Sequence, residues 1–365
     1  MRAFTCGHCG QLLFFENSLC LRCGTEQGFV ASALALTPFT PETSPNRRCA
    51  NAALAQCNWL VEGGDDDELC VSCRLTGTRP ADGDAEGLEL FAAAEAAKRR
   101  LIFGLLDLAL PIGSDLSFDL LSSERRPVST GHANGVITLD LAESDDLRRE
   151  QRRAELGEPY RTLLGHFRHE IGHYYWPIVV ERAGRLDRCR ELFGDEREDY
   201  QAAIDAHYKD GPPEHWEQRY VSSYATMHPW EDWAETWAHY LHIRDTLQTA
   251  AEFGVSVAGP EQVPDDSLAS DPEPELFEGS WHEIAANWIP LTYALNAINR
   301  SMGSGDLYPF VLAEPVIEKL AFVHECVEGT PRPDAPTLVD LGARLRGGGH
   351  SPLDGVDVTN RPGVG

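Results

Sequence analysis

A chain of 365 residues that is 42% hydrophobic can bury a sizeable core, with room for small modules beside one main domain. Its formal net charge of -27 is unevenly spread: residues 1–80 carry 6 basic and 8 acidic side chains, the remainder 25 and 50. So acidic a surface repels nucleic acid and anionic membranes and favours a neutral or basic polypeptide.

No run of about eighteen apolar residues occurs, and the first residues lack the apolar core of a leader, so the expected location is the cytoplasm with no membrane partner. In that reducing compartment the ten cysteines, six of them in CxxC pairs, read as metal ligands rather than disulfides.

Residues 1–28 hold Cys6-Gly7-His8-Cys9 and Cys20-Leu21-Arg22-Cys23, two knuckles that each present two thiolates. Together they form a closed four-cysteine zinc site, structural because no position is left for a substrate, and so small a module depends on its metal to fold. A redox CxxC is the competing reading, but one pair would serve it and no βαβ context surrounds these. A Thr/Pro-rich link leads to residues 44–80, where Cys49, Cys57 and Cys70-Val71-Ser72-Cys73 make a second four-cysteine module around Asn58-Trp59-Leu60.

An Ala/Leu-rich stretch over 85–110 predicts a core-facing helix. The period then changes: Leu116–Leu120 and Gly135–Leu141 alternate apolar and polar, predicting two half-buried strands joined by the turn-rich Arg126–Asn134. A helix from about Pro159 to Val180 follows, with Phe167, Ile171, Tyr174 and Ile178 on one face and His166, His169, His173 and Trp176 on the other.

Its central stretch reads His169-Glu170-Ile171-Gly172-His173. Residues four apart on a helix share a face, so His169 and His173 can offer two imidazoles to one ion while Glu170 sits beside the open position. There it can take the proton of a zinc-bound water. The bland alternative is a surface helix with two solvated histidines.

Asp199–Tyr208 and Pro213–Tyr220 predict further helices, and Pro229 is placed to open the next. On that helix Trp230, Trp233, Trp237 and Leu241 form a core stripe, with Glu231 and Glu235 one turn apart on another face. Residues 259–280 predict an acidic surface loop or lid, Trp281–Met302 and Glu314–Glu328 closing helices, and 331–365 a disordered tail.

A catalytic zinc takes three protein ligands and a water, so a third is needed among Glu231, Glu235, His239, Asp232, His207 and His228. The spacing of Glu231 and Glu235 favours Glu231 on the metal and Glu235 orienting a ligand histidine, with the reverse assignment open. Cys189 and Cys326 stand alone and read as buried thiols.

These residues, with Cys57-Asn58-Trp59-Leu60, His169 to Trp176, Leu192-Phe193-Gly194-Asp195-Glu196 and His228 to Glu235, resemble the bacterial zinc-binding metallopeptidases that carry N-terminal zinc ribbons. The similarity covers almost everything before Pro331. A more distant resemblance, to the catalytic domain of anthrax lethal factor, rests on Tyr220-Val221-Ser222-Ser223-Tyr224 followed by Glu231-Asp232-Trp233-Ala234-Glu235. It implies Glu231 as third ligand and Tyr224 as a phenol that assists the transition state.

The fold class expected is α+β: a mainly helical zincin-like domain over 85–330 with a small sheet, preceded by two zinc-ribbon-like modules. One catalytic and two structural Zn2+ ions are implied, with a polypeptide substrate that the ribbons recruit. The rival from the binding class is a zinc-ribbon adaptor whose zincin domain is not catalytic.

Overall fold

The computed structural model describes residues 2–64, 66–123, 128–145, 162–260 and 268–331, and within them ten strands and seven α-helices. The chain divides into two compact units, one within Thr5–Arg152 and the other within Arg153–Pro331 together with Met1–Phe4. The fold class is α+β, as expected. No helix among the described residues is long and apolar enough to cross a membrane.

In the first unit the two knuckles turn alike: Gly10 N donates to Cys6 O and Gly24 N to Cys20 O, both at 2.8 Å. Strands β1 (Phe4–Thr5) and β2 (Leu12–Leu13) bracket the first knuckle. After the second, β3 (Gln27–Val30) pairs antiparallel with β4 (Ala35–Pro38), and β5 (Arg47–Arg48) pairs with β6 (Leu60–Val61) beside Cys49 and Cys57.

One aromatic cluster serves both cysteine modules. Phe15 meets Phe29 edge to face at 5.2 Å, Phe29 lies 4.6 Å from Trp59, and Phe103 of α1 (Ala85–Asp107) reaches Phe15 at 5.1 Å. All four rings are buried, and such pairs contribute about 0.5–1.5 kcal/mol beyond their buried area. Asn58 ties the modules further, its Nδ2 donating to Phe15 O at 2.6 Å.

The sheet lies in this unit, in the order β7 (Thr76–Thr78), β8 (Ser117–Leu121), β10 (Val136–Asp140), β9 (Gly131–Ala133). Phe118, Leu120, Ile137 and Leu139 alternate onto its buried face, as the period of two predicts. The two expected strands, β8 and β10, pair in parallel. The tight turn belongs instead to β9 and β10, where Asn134 and Gly135 both adopt positive φ (51° and 84°) and close an antiparallel hairpin.

The second unit is helical. Thr162 caps α2 (Leu163–Trp176) by accepting from Gly165 N at 3.0 Å, and the backbone continues through a π turn at Pro177–Glu181, where proline cannot donate to the α-ladder. Residues 159–161 of the expected helix lie outside the described residues. The remaining helices are α3 (Leu186–Phe193), α4 (Tyr200–Asp210), α5 (Pro229–Glu252), α6 (Trp281–Ser301) and α7 (Glu314–Glu328).

The helix expected over Pro213–Tyr220 is reduced to a 3-10 turn at Trp216–Gln218, because His215 sits in the left-handed region (φ 59°). The acidic stretch contains a 3-10 turn at Pro274–Glu278; residues 261–267 and the expected tail beyond Pro331 lie outside the described residues.

Helices α2 and α5 cross closely. A Cβ on Gly172 would stand 3.1 Å from Trp237, and Trp233 Nε1 donates to Gly172 O at 2.9 Å. Arg168 Nη2 to Asp245 Oδ2 at 2.5 Å ties the same two helices, and Lys319 Nζ to Asp232 Oδ2 at 2.6 Å ties α7 to α5. Between them Tyr175 stacks on Trp237 with ring centroids 5.2 Å apart, and Trp233 lies 5.7 Å from Trp237, all three buried.

Candidate metal centre

His169, Glu170 and His173 lie on α2, and their spacing places both imidazoles on the face turned to α5. Helix α5 begins with Pro229 at its first position and His228 as N-cap, whose Nδ1 accepts from Trp230 N at 3.0 Å. The start of the helix thus sets the height of Glu231 against the two histidines.

Ligand atoms of His169, His173 and Glu231 all lie within 4.8 Å of one another. Glu231 Oε2 is 3.0 Å from His169 Nε2 and 3.6 Å from His173 Nε2. Glu235, one turn on, bonds the other side of the first ring, its Oε1 2.8 Å from His169 Nδ1. Its Oε2 accepts from Ser222 Oγ at 2.5 Å. A carboxylate on Nδ1 fixes the ring and its tautomer, leaving Nε2, which faces Glu231, as the nitrogen that could hold a metal.

The other candidates for third ligand are occupied elsewhere. Asp232 pairs with Lys319, His239 Nδ1 meets Tyr308 Oη at 2.7 Å, and Thr226 Oγ1 lies 3.4 Å from His207 Nδ1. His228, accepting at Nδ1, places its Nε2 3.2 Å from Glu198 O.

Electrostatics separate the two glutamates of the motif region. Burial opposes the charge of Glu231, but hydrogen bonds from His169 and His173 outweigh it and hold the carboxyl well below its usual range. Glu170 is pushed the other way, chiefly by burial, with the nearby histidines offsetting part of the rise. Its Oε2 is a buried oxygen with no hydrogen-bond partner among the described residues. Tyr224, whose ring is 5.8 Å from that of His169, has its phenol raised well above its usual value, chiefly by burial.

Two imidazoles and one carboxylate, converging beside a second carboxylate with an orphaned oxygen, are a donor set that fits a catalytic zinc. The cysteine clusters fit a closed one. Cys6, Cys9, Cys20 and Cys23 form one group and Cys49, Cys57, Cys70 and Cys73 another, with sulfur separations of 3.6–3.7 Å. A disulfide needs about 2.0 Å, whereas thiolates about 2.3 Å from a tetrahedral zinc are spaced by roughly 3.8 Å.

Three neighbours of the helical site went unread in the sequence. Trp230, expected in the core stripe, instead stacks on His173 with ring centroids 5.0 Å apart and planes at 11°. The stripe is otherwise buried: Trp233, Trp237 and Leu241. Ser222 holds Glu235, and Tyr200 Oη donates to Glu231 Oε1 at 2.8 Å. Ser222 lies within the Tyr220–Tyr224 segment and could have been suspected there. Tyr200 opens a polar, unremarkable helix and carries no signal.

Residues 87–326 match the family described as "Putative zinc-binding metallo-peptidase", and residues 3–84 match a zinc-ribbon domain. An uncharacterized protein of Mycobacterium bovis and two of Mycobacterium tuberculosis are each 53% identical over 336 residues, spanning 90% of this chain and 96% of their own. No solved structure matches significantly.

Proposed function

The chain belongs to the zinc-binding metallo-peptidase family that its residues 87–326 match, and on that premise we propose that it hydrolyses peptide or isopeptide bonds at the centre formed by His169, His173 and Glu231. The observation that carries the reading is the convergence of these three donors beside the buried carboxylate of Glu170.

When bound, zinc would lower the pKa of a coordinated water towards neutrality and polarise the scissile carbonyl. Glu170 takes the proton of the attacking water and later delivers it to the leaving amine. Burial pushes the Glu170 carboxyl above its usual value, the direction that suits a general base. Tyr224, kept neutral by burial beside His169, donates its O–H to the developing oxyanion. Glu235 and Ser222 hold His169 in orientation.

The two four-cysteine clusters hold structural zinc, giving three ions per chain. The acidic surface supports a neutral or basic polypeptide as substrate, recruited by the ribbons, and speaks against nucleic acid.

Glu170→Gln is the direct test. It removes the base and leaves all three donors, so the variant keeps its zinc and loses peptide hydrolysis by about 10²–10⁴-fold. Unchanged cleavage would sink the mechanism.

A further inference from the structure

The carboxylate of Glu231 is divided between two neighbours. Its Oε2 faces the histidines, 3.0 Å from His169 Nε2 and 3.6 Å from His173 Nε2, while its Oε1 accepts a 2.8 Å hydrogen bond from the phenol of Tyr200. Tyr200 is the first residue of α4, a helix that buries none of its residues and is capped by Asp199 accepting from Ala202 N. Tyr200 is 41% exposed, yet its hydroxyl is turned onto Glu231, and its ring rests 5.2 Å from that of His228, the cap of α5. Little of this contact serves the core. Its polar end is spent on one oxygen of one carboxylate.

A carboxylate can bind a cation through one oxygen or both. A hydrogen bond to an ionised acceptor is of the stronger, charge-assisted kind, and it competes directly with the second metal contact. We propose that Tyr200 is a positioning residue for the metal centre: by holding Oε1 it keeps Glu231 a one-oxygen ligand through Oε2, and so preserves room at the ion for the attacking water and the substrate carbonyl. This rests on the reading of His169, His173 and Glu231 as ligands. The two phenols then divide the work, Tyr200 arranging the ligand and Tyr224 meeting the substrate.

Tyr200→Phe in the full chain, titrated with cobalt, tests it. Subtracting the spectrum of the His169→Ala, His173→Ala double variant isolates the visible band of this centre from the thiolate bands of the cysteine clusters. Loss of an outer-shell partner weakens metal binding roughly 10–100-fold, and the visible band also loses intensity as Glu231 chelates through both oxygens and the coordination number rises. The variant still folds, because α4 buries no residue, so the readout is the metal site rather than unfolding. Tyr208→Phe, on the same helix with its ring exposed, titrates as the wild type. If Tyr200→Phe matches the wild type in affinity and band, the positioning role is overturned and the ligand assignment stands. If the wild-type cobalt spectrum already equals that of the double variant, the ligand assignment falls with it.

Discussion

The two units gather metal-binding side chains in opposite ways. In the first, three of the four half-clusters are four-residue turns and the fourth spans only Cys49 to Cys57, and the candidate ligands are cysteines alone. In the second, the donors come from two helices, His169 and Glu231 being 62 positions apart, and they are surrounded by groups of other kinds: the buried carboxylate of Glu170, two phenols and a carboxylate behind a histidine. A cluster built by turns needs little from the rest of the fold except the ion. One built across a helix crossing inherits every displacement of that crossing.

Cys70→Ser separates these regimes most sharply. The side chains of Cys49, Cys57, Cys70 and Cys73 are all buried, and for such small sites the free energy of binding the ion, about 10–16 kcal/mol, is also free energy of folding. The variant should bind one zinc fewer per chain and lose the cooperative melting of the first unit, while metal binding at His169, His173 and Glu231 persists. Elemental analysis with calorimetry reads both. Loss of the helical centre in the same variant would show that the two kinds of site are not independent.

Gly172→Val addresses the other side. No ligand changes, but the new Cβ stands 3.1 Å from Trp237, and its branches must force α2 and α5 apart. Overpacking of this sort costs about 1–3 kcal/mol. The expected outcome is a lower melting temperature of the helical unit and weaker metal binding at its centre, with cobalt–thiolate absorption of the cysteine clusters unaltered. A variant that retains full affinity there would mean that the crossing distance does not control the donor geometry.

The same contrast explains what could be read without a structure. Cysteine pairs three apart, and the histidines of His169 to His173, could be seen as clusters because turn and helix geometry alone bring them together. Glu231 was legible because it lies on a helix whose tryptophans mark it as core. Tyr200 was not, since its role depends on where a peripheral helix with no apolar stripe happens to rest. Trp230 was misplaced for a related reason: helical periodicity puts it beside Trp233 and Trp237, yet it lies at the first turn, where the stripe runs out against His173. The Asn134-Gly135 turn is a hairpin signal in the sequence, but the strand before it, Gly131–Ala133, is too short and polar to show an alternation.

Closeness in the chain is not sufficient without burial, and the pair Arg190–Glu196 shows why. Arg190 Nε and Nη2 reach Glu196 at 3.0 and 2.5 Å, a two-pronged contact between residues six apart, but the arginine is partly open to water. The hydrogen bonds from Arg190 hold the Glu196 carboxyl below its usual value. Between that depressed pKa and the unfolded value near about 4.3, the unfolded chain binds more protons than the native one, so the contribution is complete above that value and is lost as pH falls through the folded pKa. Glu196→Gln should therefore cost no more than about 1 kcal/mol at neutral pH, and the difference from wild type should vanish in acid. Denaturant melts of the two chains across the acidic range give the check. A loss as large as that of Gly172→Val would mean that local pairing, rather than burial, is what secures this unit.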